Sequence, residues 1–202
     1  MNERNLTSNE IALAKKIFKN SINYKKVKIH NKKYIFFQPA NSGMTPNGEI
    51  YVDGFFKKDY SAINDAGKSF FIHEMTHVWQ YQLKILNPVT AAIAENIKHF
   101  FHYDKAYEYE LTAGKDLLDY DIEQQASIVE DYFRIHIANI KPFPGRMKNS
   151  LQDAKKNMLF EKVLAKFISN PKYAEHTIKC KRRRHRQPGK QGVICNRVRV
   201  NE

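Results

Sequence analysis

Hydrophobic positions in the first quarter of the chain change from helix-like to strand-like spacing. In residues 8–20 apolar positions recur every three or four residues, with Ser8 as a candidate N-cap, and this predicts an amphipathic helix. Residues 27–30 alternate, residues 34–37 are β-branched and aromatic, and residues 49–52 follow a turn-rich segment. These three predicted strands indicate a small, mainly antiparallel sheet placed before the first long helix.

Helical spacing dominates the rest of the chain. Asn64 or Asp65 can cap a helix over about 66–84, and residues 122–137 place apolar side chains at three- and four-residue steps. Other segments also have helical character: 90–102, 151–167 and the mixed helix-loop region 104–120. The sequence therefore predicts an α+β fold in which the sheet is followed by a helical bundle.

Positive charge is concentrated at the C-terminal end. The chain has 34 Lys and Arg against 21 Asp and Glu, a net charge of +13, and residues 179–202 carry nine basic residues and one acidic residue. That segment accounts for +8 and leaves +5 for residues 1–178. We therefore predict one domain over 1–178 and a basic, disordered tail over 179–202.

The termini and the cysteines bear on localisation. The N-terminal residues lack a positively charged start followed by an apolar stretch, and no run approaches about 18 apolar residues. We therefore expect synthesis in the cytoplasm without a Sec signal, and export by a dedicated machine if the protein acts elsewhere. Cys180 and Cys195 both lie in the tail, where a pair of free thiols is favoured over a disulfide.

The chemistry-bearing motif is His73-Glu74-Met75-Thr76-His77. Two histidines four residues apart on a helix project from one face, within reach of one metal ion. Glu74 is rotated by about 100° from His73, so it can reach a metal-bound water but is poorly placed to be a ligand. The pattern arises by chance only roughly 0.02 times in a chain of this composition. It predicts one catalytic Zn²⁺ per chain, with Glu74 as general base and acid.

A third protein ligand must come from another element, and the predicted 122–137 helix is the best source. Glu123 is the predicted ligand, because its neighbours are small or neutral. Glu130 is the rival, since it falls on nearly the same helix face two turns later. His99, His102 and His136 are less favoured, because a lone histidine in an aromatic-rich helix more often packs.

Several segments together resemble a known family. Residues 73–80 (HEMTHVWQ), 123–126 (EQQA) and 131–133 (DYF) are similar to the zinc metallopeptidase domain attached to some type VI secretion spike proteins, at the VgrG C-terminus, and also found as free effectors. Residues 44–51 (MTPNGEIY) resemble the turn and strand that this family places before its zinc helix. The similarity spans roughly residues 45–133.

The resemblance implies a zincin-like fold of the gluzincin type, HExxH…E. It implies that His73, His77 and Glu123 bind zinc and that Glu74 is the catalytic acid and base of a zinc metalloendopeptidase. The implied role is an antibacterial toxin that acts in the periplasm of target cells. The implied partners are a protein or peptide substrate, a secretion spike protein and a cognate immunity protein.

Substrate binding is also suggested by the resemblance. Zincins generally accept the substrate backbone along an edge strand, which points to Gly48, Ile50 and Tyr51. A core or cross-strand position is nevertheless the stronger interpretation for Tyr51. Trp79 is likewise expected to pack, whereas Gln80, seven residues after His73, is placed to lie beside the site.

Some positions depart from the family pattern. Ser127 stands where peptidases with this ligand set often have an Asp that orients a histidine ligand, so either the groups that orient the ligands differ in this chain or another acid takes that role. The oxyanion-stabilising group is not evident, and Tyr132 and His136 are candidates by residue type. The basic tail matches nothing in the family.

Two alternative functions belong to other classes. A non-catalytic zinc-binding relative would keep the ligands, but a structural zinc site has four protein ligands and no use for Glu74. Nucleic-acid or partner binding through Arg182, Arg183 and Arg184 is the other alternative. This run lacks interleaved aromatic residues, which favours a solvated or partner-docking tail over specific nucleic-acid recognition.

Overall fold

The computed structural model describes residues 2–36, 38–85, 103–149 and 153–178. Within these ranges the fold has four strands and five helices: β1 (Glu3–Asn5), α1 (Ser8–Phe18), β2 (Lys28–Asn31), β3 (Gly43–Met44), β4 (Ile50–Val52), α2 (Asp65–Gln82), α3 (Tyr103–Ala106), α4 (Ile122–His136) and α5 (Asp153–Ser169). Short 3₁₀ turns occupy Tyr24–Lys26, Tyr60–Ala62 and Leu117–Asp119. The α+β prediction is confirmed.

The sheet is mixed, with strand order β1-β2-β4-β3. β1 pairs with β2 and β3 pairs with β4 in antiparallel fashion, whereas the central pair, β2 with β4, is parallel. The mainly antiparallel prediction therefore needs correction at the centre of the sheet. Neither β1 nor β3 was predicted, because segments of three and two residues carry no measurable alternation.

The predicted strand over residues 34–37 is wrong for the residues that the structure describes. Residues 34–36 form a bend and a turn. The Gln38 side chain accepts a hydrogen bond from the Tyr34 amide at 2.7 Å, and the Gln38 amide donates to the Ile35 carbonyl at 3.0 Å. These bonds satisfy the backbone without a ladder, and Phe36 remains 95% exposed.

Capping residues define where the helices begin. Thr7, not Ser8, caps α1: its hydroxyl accepts from the Glu10 amide at 3.1 Å, and the Glu10 carboxylate accepts from the Thr7 amide at 2.9 Å. Asn64 caps α2 by accepting from the Gly67 amide at 3.0 Å, as one of the two predicted caps. The predicted helices at 66–84, 122–137 and 151–167 are confirmed as α2, α4 and α5.

Helix α2 runs through the middle of the core. Its side chains from Phe71 to Gln80 are buried. Trp79 is fully buried, packs edge-on against Phe167 of α5 with ring centroids 5.0 Å apart, and donates to the Pro171 carbonyl at 3.1 Å. The predicted packing role of Trp79 is confirmed.

Helices α2 and α4 pack against each other in antiparallel directions. Ser69 near the start of α2 contacts Arg134 near the end of α4, while Gln80 near the end of α2 contacts Ile122 at the start of α4. This pairing aligns the His73–His77 face with the first two turns of α4.

Some predictions lie outside the described residues, namely the helix at 90–102 and the tail at 179–202. The region 104–120 contains the end of α3 and a 3₁₀ turn, in line with its mixed pattern. Within the four described ranges, no helix combines the length and the apolar character needed to cross a membrane.

Candidate metal centre

Three side chains from α2 and α4 converge on one point. His73 and His77 are one turn apart on α2, and Glu123 lies in the first turn of α4. The two Nε2 atoms are 3.3 Å apart, and Glu123 Oε2 lies 3.4 Å from Nε2 of His73 and 3.3 Å from Nε2 of His77. The structure thus brings together the three residues that the sequence predicted as ligands.

The dimensions of this triangle fit a zinc ion. A tetrahedral site with bonds of about 2.0–2.1 Å holds its ligand atoms about 3.3–3.4 Å apart. Glu123 Oε2 is buried and, among the described residues, accepts no hydrogen bond of acceptable geometry. A buried carboxylate oxygen left without a donor is costly, and a cation at the centre of the triangle would satisfy it.

The charges around the triangle favour a cation. Burial alone would lower the pKa of His73, but the carboxylates of Glu123 and Glu130 raise it to about 10. Burial also opposes protonation of His77, yet Glu123 raises its pKa. Against the effect of burial, the two imidazoles hold the pKa of Glu123 well below its ordinary value. The site therefore attracts positive charge, either as protons or as a metal ion.

Glu130, the rival ligand, lies on the other side of His73. Its Oε2 is 3.1 Å from His73 Nδ1 and also accepts from Nη1 of Arg146. Glu130 follows Glu123 by two turns, so both acids lie on the face of α4 that meets α2. Because α4 runs antiparallel to α2, Glu130 reaches the Nδ1 side of the His73 imidazole, whereas Glu123 reaches the Nε2 side. Glu130 thus occupies the orienting position for which Ser127 has no carboxylate.

The other histidine, His77, contacts a neutral side chain, that of Gln80. His77 Nδ1 lies 2.8 Å from Gln80 Oε1, while Gln80 Nε2 donates to the Ile122 carbonyl and to Gln125 Oε1, both at 3.0 Å. Since a carbonyl oxygen only accepts, the amide orientation of Gln80 is fixed by this network. Gln80 does lie beside the site, and it joins α2 to the start of α4.

These contacts set the tautomers of both histidines. Glu130 and Gln80 present acceptor oxygens, so Nδ1 of His73 and of His77 carries the proton in the neutral imidazole. Each Nε2 lone pair then points into the triangle, which is the form that binds a metal.

Glu74 is held from the sheet side. Thr45 Oγ1, in the segment after β3, donates to Glu74 Oε2 at 2.7 Å. A Cβ on Gly43 would lie 2.7 Å from Glu74 Oε1 and 2.6 Å from the Phe70 ring, so a side chain at residue 43 would displace the carboxylate. Both contacts span about thirty positions, and no local sequence pattern signals them.

A cleft of about 600 Å³ opens beside His73 and Glu74. The cleft is lined by residues 41–43 at the edge of the sheet and by residues 143–146. Its aromatic lining consists of Phe55, Phe70, Tyr107 and Phe143. The Tyr107 ring lies 5.6 Å from the His73 ring. The cleft gives an extended ligand access to Glu74.

The predicted substrate-binding strand is not at an edge. β4 lies between β2 and β3, so the edge premise for Ile50 and Tyr51 is wrong. Ile50 is 1% exposed, and Tyr51 stacks on His30 with ring centroids 4.3 Å apart, in agreement with a cross-strand role. Gly48, at φ +80°, packs against the ring of Tyr81. The strand that borders the cleft is β3.

The residues proposed by type for the oxyanion lie elsewhere. Tyr132 and His136 stack on each other with ring centroids 4.6 Å apart. They follow Glu123 by nine and thirteen positions, which turns them to the opposite face of α4. Arg146 and Tyr107, which do border the cleft, lie in irregular segments without periodicity and were missed.

Comparisons with known proteins identify the family of this chain. No family model matches the chain. The chain is 37% identical over 166 residues to the type VI secretion system spike protein VgrG2b of Pseudomonas aeruginosa; the match covers 81% of this chain and 15% of that protein. The solved effector domain of Pseudomonas aeruginosa VgrG2b superposes with a TM-score of 0.62 at 36% identity, over 79% of this chain and 83% of that domain. This chain belongs to the family of the VgrG2b type VI secretion effector domain.

Proposed function

We propose that the domain is a zinc-dependent endopeptidase of zincin-like fold that acts as an antibacterial effector in the periplasm of target cells. The observation that carries the peptidase proposal is the triangle of His73, His77 and Glu123, sized for zinc, with the Glu74 carboxylate one residue along the same helix. Three protein ligands leave one position open, which is the arrangement of catalytic zinc sites.

His73, His77 and Glu123 would hold the ion. When bound, zinc lowers the pKa of a water molecule and polarises the carbonyl that the water attacks. Glu74 accepts the proton of the attacking water and returns it to the leaving amine. The hydrogen bond from Thr45 fixes the Glu74 carboxylate, so little reorganisation is needed during proton transfer.

The edge of β3 is the proposed binding site for the substrate backbone. β3 pairs with β4 on one side, and residues 41–43 border the cleft. An extended peptide can add to such an edge through main-chain hydrogen bonds. Gly43 lets the backbone of β3 pass close to Glu74 and Phe70, where a side chain at residue 43 would collide with both. This proposal transfers the predicted role of Gly48, Ile50 and Tyr51 to β3.

Family membership supports the effector part of the proposal. The spike protein that this chain resembles belongs to the type VI secretion system, and the matched part of it is a solved effector domain. We therefore propose a secretion spike as the delivery partner and a cognate immunity protein as the inhibitor. The chain spans only 15% of the length of the spike protein, and both partners are therefore proposals.

A comparison of the wild type with Glu74→Gln tests the proposal. Both proteins should bind one zinc per chain, because Glu74 is not among the ligands. Cleavage of a peptide library should fall by roughly 10²–10⁴-fold in the variant. Expression with an added periplasmic signal should arrest bacterial growth for the wild type only, and cytoplasmic expression should be tolerated.

The same experiment separates the enzyme from a non-catalytic zinc protein. One zinc per chain in both proteins, with no cleavage and no periplasmic toxicity in either, would contradict the peptidase proposal. Toxicity that persists unchanged in Glu74→Gln would assign the harm to binding and not to hydrolysis.

A further inference from the structure

Arg146 connects the wall of the cleft to the metal centre. Its Nη1 donates to Glu130 Oε2, the same oxygen that lies 3.1 Å from His73 Nδ1. The Arg146 side chain is 19% exposed and that of Glu130 is 4% exposed, so the pair is largely shielded from water. A buried ion pair of this kind is sensitive to the loss of either partner.

The carboxylates around the proposed zinc site explain why Glu130 needs a positively charged partner. Glu74, Glu123 and Glu130 bring three carboxylates to the site, more than the two positive charges that a zinc ion would supply. Asp131, fully buried next to Glu130, adds a fourth carboxylate, and Arg146 is the cation that pairs with Glu130. Without Arg146, Glu130 would be a buried carboxylate with only the His73 imidazole as a partner, and it would be free to turn and compete with Glu123 for the metal.

Arg146 is itself held in place by aromatic rings and by α4. Its guanidinium carbon lies 4.0 Å from the centroid of Phe143 and 5.1 Å from that of Tyr107. The Phe143 amide donates to Asp131 Oδ1 at 2.5 Å, and the Tyr109 amide donates to the Arg146 carbonyl at 2.9 Å. These contacts fix the segment 143–146 against the helix that carries Glu123 and Glu130.

The neighbouring position on α4, Ser127, offers no charged group that could replace Glu130 in orienting His73. Ser127 lies between Glu123 and Glu130 on the same face and is fully buried, and its hydroxyl makes no hydrogen bond within the described residues. It carries no charge that can orient His73. The other ligand, His77, is oriented by the neutral Gln80. The orientation of the two histidines therefore depends on two different kinds of group.

We propose that Arg146 is a positioning residue that holds Glu130 behind His73, so that Glu130 orients the imidazole and Glu123 alone supplies the carboxylate ligand. The inference rests on the proposed zinc site. It does not depend on the peptidase step, because its primary readout is the affinity for zinc.

Four variants and one matched control test the inference. Arg146→Gln should weaken zinc binding by roughly 10–100-fold, the usual effect of losing an outer-shell partner. Arg146→Lys restores the charge and should recover part of that loss. The double variant Arg146→Gln/Glu130→Gln should bind zinc no more weakly than Glu130→Gln alone, because the two residues act through one contact. The control is Arg134→Gln: Arg134 also lies against Phe143, but it donates to the Lys141 carbonyl and to Ser69.

The measurements are zinc affinity by competition with a chromophoric chelator, the visible spectrum of the cobalt-substituted protein, and the melting temperature. We expect Arg146→Gln to shift the cobalt spectrum, because the ligand geometry changes, and Arg134→Gln to lower only the melting temperature. Equal zinc affinity in wild type and Arg146→Gln would overturn the inference, as would an equal loss of affinity in Arg134→Gln. A wild type that binds no zinc would overturn the proposed function and this inference together.

Discussion

The proposed metal ligands and the groups that contact Glu74 belong to two different parts of the molecule. The α2–α4 helix pair carries His73, His77 and Glu123 together with the side chains that orient them. The sheet side, at β3 and the segment after it, contributes Gly43 and Thr45, which contact Glu74. This division predicts that the proposed zinc binding and the proposed proton transfer by Glu74 are separable. Changes in the helix pair should alter zinc affinity, and changes on the sheet side should alter turnover at full zinc occupancy.

The largest effect is expected for a ligand on the helix pair. Glu123→Ala removes one of the three proposed protein ligands, so zinc affinity should fall by more than the roughly 100-fold that outer-shell changes reach, and cleavage should be lost with the metal. The measurement is zinc stoichiometry after dialysis against a weak chelator. Glu161→Ala, at an exposed acid on α5, is the control. If Glu123→Ala retained zinc and Glu130→Ala lost it, Glu130 would be the ligand and Glu123 the orienting group.

The pH dependence tests the helix pair without mutation. In the metal-free protein the neighbouring carboxylates raise the pKa of His73 to about 10 and that of His77 in the same direction. Zinc must displace these protons, so apparent affinity should increase with pH, by about tenfold per unit for each proton displaced.

Metal-free stability should change in the opposite direction. A histidine whose pKa is raised from 6.5 in the unfolded chain stabilises the fold fully below pH 6.5, and this contribution is lost as pH rises towards about 10. The gap in melting temperature between the zinc-loaded and metal-free protein should therefore widen from pH 6 to pH 9. A constant gap would contradict the assignment of His73 and His77 as ligands.

A smaller effect is expected on the sheet side. Thr45→Val keeps the shape of the side chain but removes the hydroxyl that donates to Glu74. A hydrogen bond to a charged group contributes about 1.5–3 kcal/mol, so kcat/KM should fall by about tenfold or more. Zinc affinity should stay within about twofold of wild type, since no ligand has changed. Thr45→Ser keeps the hydroxyl and should retain most of the activity.

A drop in zinc affinity for Thr45→Val would show that the two regions are coupled after all. Unchanged activity would show that Glu74 is positioned by the helix alone, and the role proposed for the sheet side would then be wrong.

The helix pair could be predicted from the sequence to a larger extent than the sheet side. The helical period placed His73 and His77 on one face, and the apolar spacing of residues 122–137 gave the helix that presents Glu123. The role of Glu130 could not be deduced, because it depends on the antiparallel packing of α2 against α4, which decides on which side of His73 the carboxylate arrives.

The sheet was harder to predict for a physical reason. β1 and β3 are too short to show alternation, and they exist because backbone groups far apart in the chain pair with each other. Residues 34–37 show the reverse case, where apolar β-branched and aromatic residues suggest a strand but a Gln38 side chain closes a turn. Thr45 and Arg146 reach the site through such long-range contacts.

The smallest effect is expected from the basic tail. Residues 179–202 carry +8 of the net charge, and the proposed ligands, the orienting groups and the described cleft residues all come from residues 41–146. Deletion of 179–202 should leave zinc affinity and kcat/KM within about twofold of wild type, and should weaken the salt-dependent retention of the protein on a polyanion column. A full-length chain with Arg182, Arg183 and Arg184 changed to Ser is the matched control for charge without truncation. Loss of zinc binding in the deletion, but not in the control, would show that the tail is part of the folded domain and that its separation at residue 178 is wrong.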